Sequence, residues 1–78
     1  MSTSMLDSAA ADVFVDDRSL RIVLRDGREI SAPIEWFPAL QSATPAVRRN
    51  WRLIGEGEGI RWSDLDEDIS VAALMRLG

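Results

Sequence analysis

Apolar and polar residues alternate with a period of two through three short segments between residues 12 and 32, which is typical of β-strands. The segments are separated by turn-forming residues at 16–19 and 26–27. This pattern predicts a three-stranded antiparallel meander. Its core-facing residues are expected to be Val13, Val15, Leu20, Ile22, Leu24, Ile30 and Ala32. Phe14 and Val23 would lie on the opposite face.

The pairing of the second and third strands follows from charge and hydrophobicity. A two-residue loop between them would place Arg25 opposite Arg28, two like charges. A three-residue loop with Gly27 in the left-handed conformation instead sets Ile22 opposite Ile30 and keeps one face apolar. The sequence therefore predicts the three-residue loop.

Prolines and glycines divide the second half of the chain. Pro38 and Pro45 each suit the first turn of a helix, and Thr44 is placed to cap the second one. A glycine-rich loop at 55–59 joins two short apolar segments as a hairpin, and Ser70 is expected to cap a final helix. The predicted elements are helices over 38–42, 45–50 and 71–77, strands over 51–54 and 60–62, and an acidic loop over 63–68.

The fold class predicted by these elements is α+β. It comprises a three-stranded antiparallel meander, a second short hairpin, two short helices in mid-chain and one C-terminal helix. A length of 78 residues allows one domain, expected over 12–78. Residues 1–11 are mostly small or polar and are expected to form a disordered N-terminal tail without the features of a secretory signal. No segment approaches the roughly 18 apolar residues of a membrane helix, so the expected location is the cytoplasm.

The composition removes several kinds of chemistry. The sequence has no Cys, His or Tyr, and all nine basic residues are Arg. Disulfides, zinc sites built on Cys or His, and triads that depend on His or Cys are therefore excluded. Because the usual general bases are missing, we expect no enzymatic activity and no cofactor. The net charge of −4 favours a basic partner.

Acidic residues form the first candidate binding surface. Four of them precede the predicted start of the last helix, and two more lie in the glycine-rich loop. These candidates for partner binding are Asp64, Asp66, Glu67, Asp68, Glu56 and Glu58. The first four resemble the opening of a calcium loop, but Ile69 stands where that loop needs glycine. The glycine-rich loop lacks the lysine of a phosphate-binding loop. A solvated acidic face or a protein contact is the better interpretation.

A basic cluster supports an alternative. Arg48, Arg49 and Arg52 flank Trp51, and arginine beside an aromatic ring can hold a phosphate backbone and stack a base. The negative net charge argues against direct binding of nucleic acid. If the cluster has no binding role, Arg48 and Arg49 lie on a solvated helix face and Arg52 points outward from a strand. A further interpretation is a salt-bridging patch for an acidic surface of a partner.

Three tryptophans are expected to form much of the core of so small a domain. Trp36 is the candidate for partial exposure, because it lies in an irregular segment beside Phe37 and Pro38. An exposed tryptophan would serve as an anchor for a partner protein. Trp36 is therefore included among the candidate partner-binding residues.

Four blocks of sequence resemble a bacterial family known as domain of unknown function 2442. The blocks are DGREISAP at 26–33, WFP at 36–38, WRLIGEGEGIRW at 51–62 and LDEDISV at 65–71. The likeness covers about residues 12–77 and implies an α+β fold. It also implies a genomic neighbour from family 4160, the pair being read as a type II toxin–antitoxin module with this family as the antitoxin. Some members add a helix-turn-helix domain, and the family supplies no catalytic residues.

Three hypotheses for function follow. The first is a non-enzymatic, antitoxin-like protein that binds and neutralises a small, basic partner protein. The second is a nucleic-acid-binding regulator that uses Arg48, Arg49 and Arg52. The third is a self-associating structural subunit, since a domain of this size has a thin margin of stability that a homo-oligomer would widen.

Overall fold

The computed structural model describes residues 8–77 and folds them into two three-stranded antiparallel sheets, in the orders β1-β2-β3 and β4-β5-β6. The elements are β1 (Ala10–Val15), β2 (Ser19–Leu24), β3 (Glu29–Pro33), α1 (Pro38–Gln41), α2 (Pro45–Arg49), β4 (Arg52–Ile54), β5 (Gly59–Trp62), β6 (Glu67–Ser70) and α3 (Val71–Leu77), with 3-10 turns at Ile34–Trp36 and Ser63–Leu65. The predicted α+β class is confirmed. Among the described residues, no helix is long and apolar enough to span a bilayer.

The first sheet has the predicted register. Val13 lies opposite Ile22 in β1 and β2, and Ile22 lies opposite Ile30 in β3. Gly27 has a φ of 94° and donates its N–H to the carbonyl of Leu24 at 3.0 Å, which closes the predicted three-residue loop. With Gly27 in the left-handed conformation, β3 returns beside β2 in a register that keeps the apolar side chains of both strands on the same face of the sheet.

Strand β1 begins at Ala10, two residues earlier than expected. Residues 10–11 of the predicted tail therefore belong to the sheet, and residues 1–7 lie outside the described part of the chain. Ala10 is fully buried, and its N–H donates to the carbonyl of Gly57 at 2.8 Å. This contact comes from a distant loop, so no local pattern could reveal it. A bulge between Ala10 and Asp12 lets β1 extend past the regular ladder.

The second sheet contains a strand that was not predicted. Strand β6 pairs with β5 and places Ile69 opposite Ile60 and Asp68 opposite Arg61. The prediction of a loop over 63–68 is therefore wrong at 67–68. Acidic residues have low strand propensity, and a single buried isoleucine is too short a pattern to signal a strand. The hydrogen-bonding partner β5 and the cross-strand charge pair compensate for that propensity.

The core lies between the inner faces of the two sheets and the short helices. Its buried apolar residues are Ala10, Val13, Leu20, Ile22, Leu24, Ala32, Ile34, Leu40, Ile60, Trp62, Ile69, Val71 and Leu74. Trp62 is fully buried and donates its indole N–H to the carbonyl of Arg48 at 3.0 Å. The predicted caps are confirmed: Thr44 Oγ1 accepts from the N–H of Val47, and Ser70 Oγ accepts from the N–H of Ala73.

Candidate protein-binding surface

Within residues 8–77, strand β1 pairs with β2 alone, so one edge of the first sheet carries no further strand. The N–H of Asp16 donates to the carbonyl of Ser19 at 3.0 Å, so Asp16 directs its backbone groups towards β2. Alternation along an antiparallel strand then turns the backbone groups of Val13 and Val15 away from β2. Consistent with this, the N–H of Val13 bonds to the carboxylate of Asp12 at 2.8 Å.

A groove of about 490 Å³ follows this open edge. Strand β1 forms one wall, and helix α2 with Trp51 forms the other. Its lining residues are Val13, Phe14, Val15, Asp16, Asp17, Arg21, Pro45, Arg48, Arg49 and Trp51. Phe14 is 46% exposed, and the guanidinium of Arg21 lies 5.2 Å from the centre of its ring. The groove thus combines apolar surface with strand backbone groups, as peptide-binding grooves commonly do.

The turn at the end of the groove is ordered by Asp16. Its carboxylate accepts hydrogen bonds from the N–H groups of Arg18 and Ser19, each at 2.8 Å. The bond from Arg18, followed by that from Ser19, holds the pKa of Asp16 below its usual value. Asp16 therefore stays ionised at the rim of the groove.

Arg48 has a structural role that the sequence did not reveal. Only 7% exposed, it donates Nε to the carbonyl of Leu40 and Nη2 to that of Gln41, both at 2.9 Å. Its Nη1 reaches Asp17 Oδ1 at 2.7 Å. The two carbonyls belong to the end of α1, where backbone acceptors lack helical partners. Arg48 thus ties α1 and α2 to the β1–β2 turn.

The expectation that Arg48 lies on a solvated helix face is therefore wrong. Its guanidinium donates hydrogen bonds to two carbonyls and a carboxylate of its own chain. Arg49 is exposed beside the groove, and Arg52 is exposed on the outer face of the second sheet, opposite Arg61. The sequence cluster does not form a three-arginine surface.

The acidic segment is partly neutralised by Arg61, which sequence reasoning missed. Its guanidinium donates to Asp66 at 2.8 Å and to Asp68 at 2.7 Å. These bonds, with that to Asp66 the stronger influence, raise the pKa of Arg61. Asp64 accepts from the side chain of Asn50 at 2.9 Å. This pairing depends on β6 lying beside β5, which sets Asp68 opposite Arg61.

The remaining candidates lie at separate places. Glu67 is half-buried and sits opposite Trp62 in β6. Glu56 and Glu58 are exposed in the β4–β5 loop, at the other end of β5 from Asp66. The structure therefore does not unite the two acidic groups into one surface.

Trp36 is 50% exposed, as expected. It follows β3 at the end of the first sheet that also carries the β1–β2 turn. The N–H of Ile34 fixes this placement by donating to the carbonyl of Arg18 at 2.9 Å. Trp36 thus lies towards the end of the sheet at which the groove carries Asp16 and Asp17.

The glycine-rich loop is a packing element. Gly57 has a φ of 93°, and a Cβ there would lie 2.8 Å from the carbonyl oxygen of Ala10 and 2.9 Å from Cβ of Ala9. Only glycine lets the loop approach β1 so closely. Over residues 8–77, no three carboxylates converge closely enough to hold a metal ion.

Together the fold and groove define a small α+β protein with an open sheet edge and a mixed apolar and charged surface. The chain belongs to the family described as "Protein of unknown function (DUF2442)", whose model matches residues 10–78. It is similar to a crystal structure of a protein of unknown function from Rhodospirillum rubrum ATCC 11170. That similarity has 26% identity and a TM-score of 0.73 over 87% of this chain and 84% of the other. No curated protein matches the chain.

Proposed function

We propose that this protein acts without catalysis, as an antitoxin-like binder that neutralises a small partner protein. The observation that carries the proposal is the open edge of β1, where Phe14 and Trp51 flank strand backbone groups that face away from β2. An exposed aromatic side chain such as Phe14 beside an open strand is costly in an isolated domain and useful in a complex.

Charge supports the same proposal. The net charge of −4 suits a basic partner, and electrostatic attraction chiefly accelerates association. The family resemblance adds a candidate, the product of a neighbouring gene. The nucleic-acid alternative loses support because Arg48, one of its three arginines, is buried and fully engaged.

The experiment is co-expression of the full chain with the product of the adjacent gene. We expect restored growth and co-purification of the two proteins. Neutralisation should need stoichiometric amounts, and the intact mass of the partner should be unchanged. Growth that is not restored and a partner that does not co-purify would reject the proposal, and neutralisation at substoichiometric amounts with a mass change would indicate an enzyme.

A further inference from the structure

We propose that the open edge of β1 accepts an extended segment of a partner protein as a fourth strand of the first sheet. The segment has basic residues at both ends of a short apolar stretch. This inference rests on the proposed protein-binding function and adds the site and the chemistry of the partner. Addition of a strand to an open sheet edge is an established mode of peptide recognition.

The backbone of β1 defines where the new strand would pair. The N–H of Ala10 is occupied by Gly57, and the N–H of Val13 by the side chain of Asp12. The carbonyl of Val13 and both backbone groups of Val15 face the groove. Pairing would therefore centre on 13–15 and displace the side chain of Asp12 from the N–H of Val13.

The side chains of β1 define the sequence that fits. Asp12 and Phe14 share the outer face of β1, because residues two apart in a strand point the same way, and Asp16, which bonds to Ser19 directly after the strand, continues this alternation. A paired strand would place one residue opposite each of these, so the favoured neighbours are a basic, an apolar and a basic residue. The intervening residues would lie on the same face as Val13 and Val15, which favour apolar side chains there, and Arg49 on the opposite wall of the groove disfavours basic ones.

A second copy of this chain fits less well. Antiparallel pairing of two β1 strands about Phe14 would set Asp12 of one copy opposite Asp16 of the other, at both ends of the pairing. Like charges directly opposite each other destabilise a sheet. Charge therefore favours a basic segment of a different protein.

The test titrates the full chain with a capped synthetic peptide that has the core Lys-Val-Leu-Val-Lys. The readout is the change in the amide chemical shifts of the protein, measured by NMR. We expect shifts centred on 12–16. A peptide with Glu in place of both Lys should bind much more weakly. The double variant Asp12→Asn with Asp16→Asn should weaken binding about three- to tenfold, whereas Glu29→Gln on β3, at the opposite edge of the first sheet, should not.

Backbone pairing has its own control within the peptide. N-methylation of either Val removes a donor that faces β1 and should abolish binding, whereas N-methylation of the Leu should not, because that N–H faces away. Equal binding of the Lys and Glu peptides, shifts centred elsewhere, or no binding at millimolar peptide would overturn the inference. Self-association of the free chain through 12–16 would instead identify a second copy as the occupant.

The inference and the proposed function can fail separately. A wild-type complex with the adjacent gene product, together with no peptide binding, would overturn the edge-strand inference alone. Absence of any complex, together with specific peptide binding, would overturn the antitoxin-like role and support the edge as a binding site.

Discussion

Gly57 and Ala10 meet backbone to backbone. The N–H of Ala10 donates to the carbonyl of Gly57 at 2.8 Å, and a Cβ on Gly57 would overlap the carbonyl oxygen of Ala10. This contact joins the loop of the second sheet to the first strand of the first sheet. It explains why a glycine stands here in a loop that otherwise resembles a flexible linker.

A matched pair of glycine substitutions tests this contact. Gly27 and Gly57 have nearly equal φ, 94° and 93°, but nothing lies within 4 Å of a Cβ on Gly27. Gly27→Ala should lower the free energy of unfolding by about 1–2 kcal/mol from backbone strain alone. Gly57→Ala should cost about 1–3 kcal/mol more, because β1 or the loop must move. Urea denaturation measures both, and equal losses would contradict the proposed packing role.

Removal of the Arg48 side chain should weaken the whole fold. Arg48→Ala leaves the carbonyl of Gln41 without its donor and that of Leu40 with only backbone donors, such as the N–H of Ala43, and we expect a loss of about 2–4 kcal/mol in the free energy of unfolding. Arg49→Ala is the control, since Arg49 is exposed on the same helix, and should change stability by less than about 0.5 kcal/mol. Similar losses in both variants would show that burial of Arg48 does not matter.

Asp16 should make stability depend on pH in the acid range. Its pKa is lowered in the folded state, so its contribution is complete above the unfolded pKa and is lost as pH falls through the lower folded value. Asp16→Asn should therefore be less stable than the wild type near neutral pH, and the difference should shrink as the pH falls below 4. Thermal unfolding at several pH values measures the difference. A difference that is constant down to pH 2 would contradict ionisation of Asp16 as its cause.

The tryptophans should differ in access to solvent. Trp36 is half exposed and Trp62 fully buried, so acrylamide should quench the fluorescence of Trp36 most. Trp36→Phe should lower the quenching slope more than Trp51→Phe does. A larger decrease in Trp51→Phe than in Trp36→Phe would show that the more exposed tryptophan lies in the groove and not after β3.

Local patterns predict the first sheet well because its determinants are local. Two-residue periodicity sets the faces, and Gly27 with its neighbours sets the register. Thr44 and Ser70 likewise act within three residues of their own position.

What the sequence did not reveal depends on distant partners. Ala10 is buried because Gly57 packs on it, and Arg48 is buried because it donates to the carbonyls of Leu40 and Gln41 at the end of α1. Helix α2 has only five residues, too few for a periodic pattern to show which side faces inward. The predicted end of α1 is the available signal for a buried arginine, because the last carbonyls of a helix need donors from outside the helix.

The two ends of the described chain lie side by side. Ala10 bonds to Gly57, Val71 donates its N–H to the carbonyl of Glu58 at 3.0 Å, and Ala9 and Met75 line the same shallow depression. A short peptide bridge that closes the segment 8–77 would therefore give a circular protein with both sheets intact. Such a ring would resist unfolding chiefly because closure lowers the conformational entropy of the unfolded chain. The groove along the open edge of β1 would stay accessible.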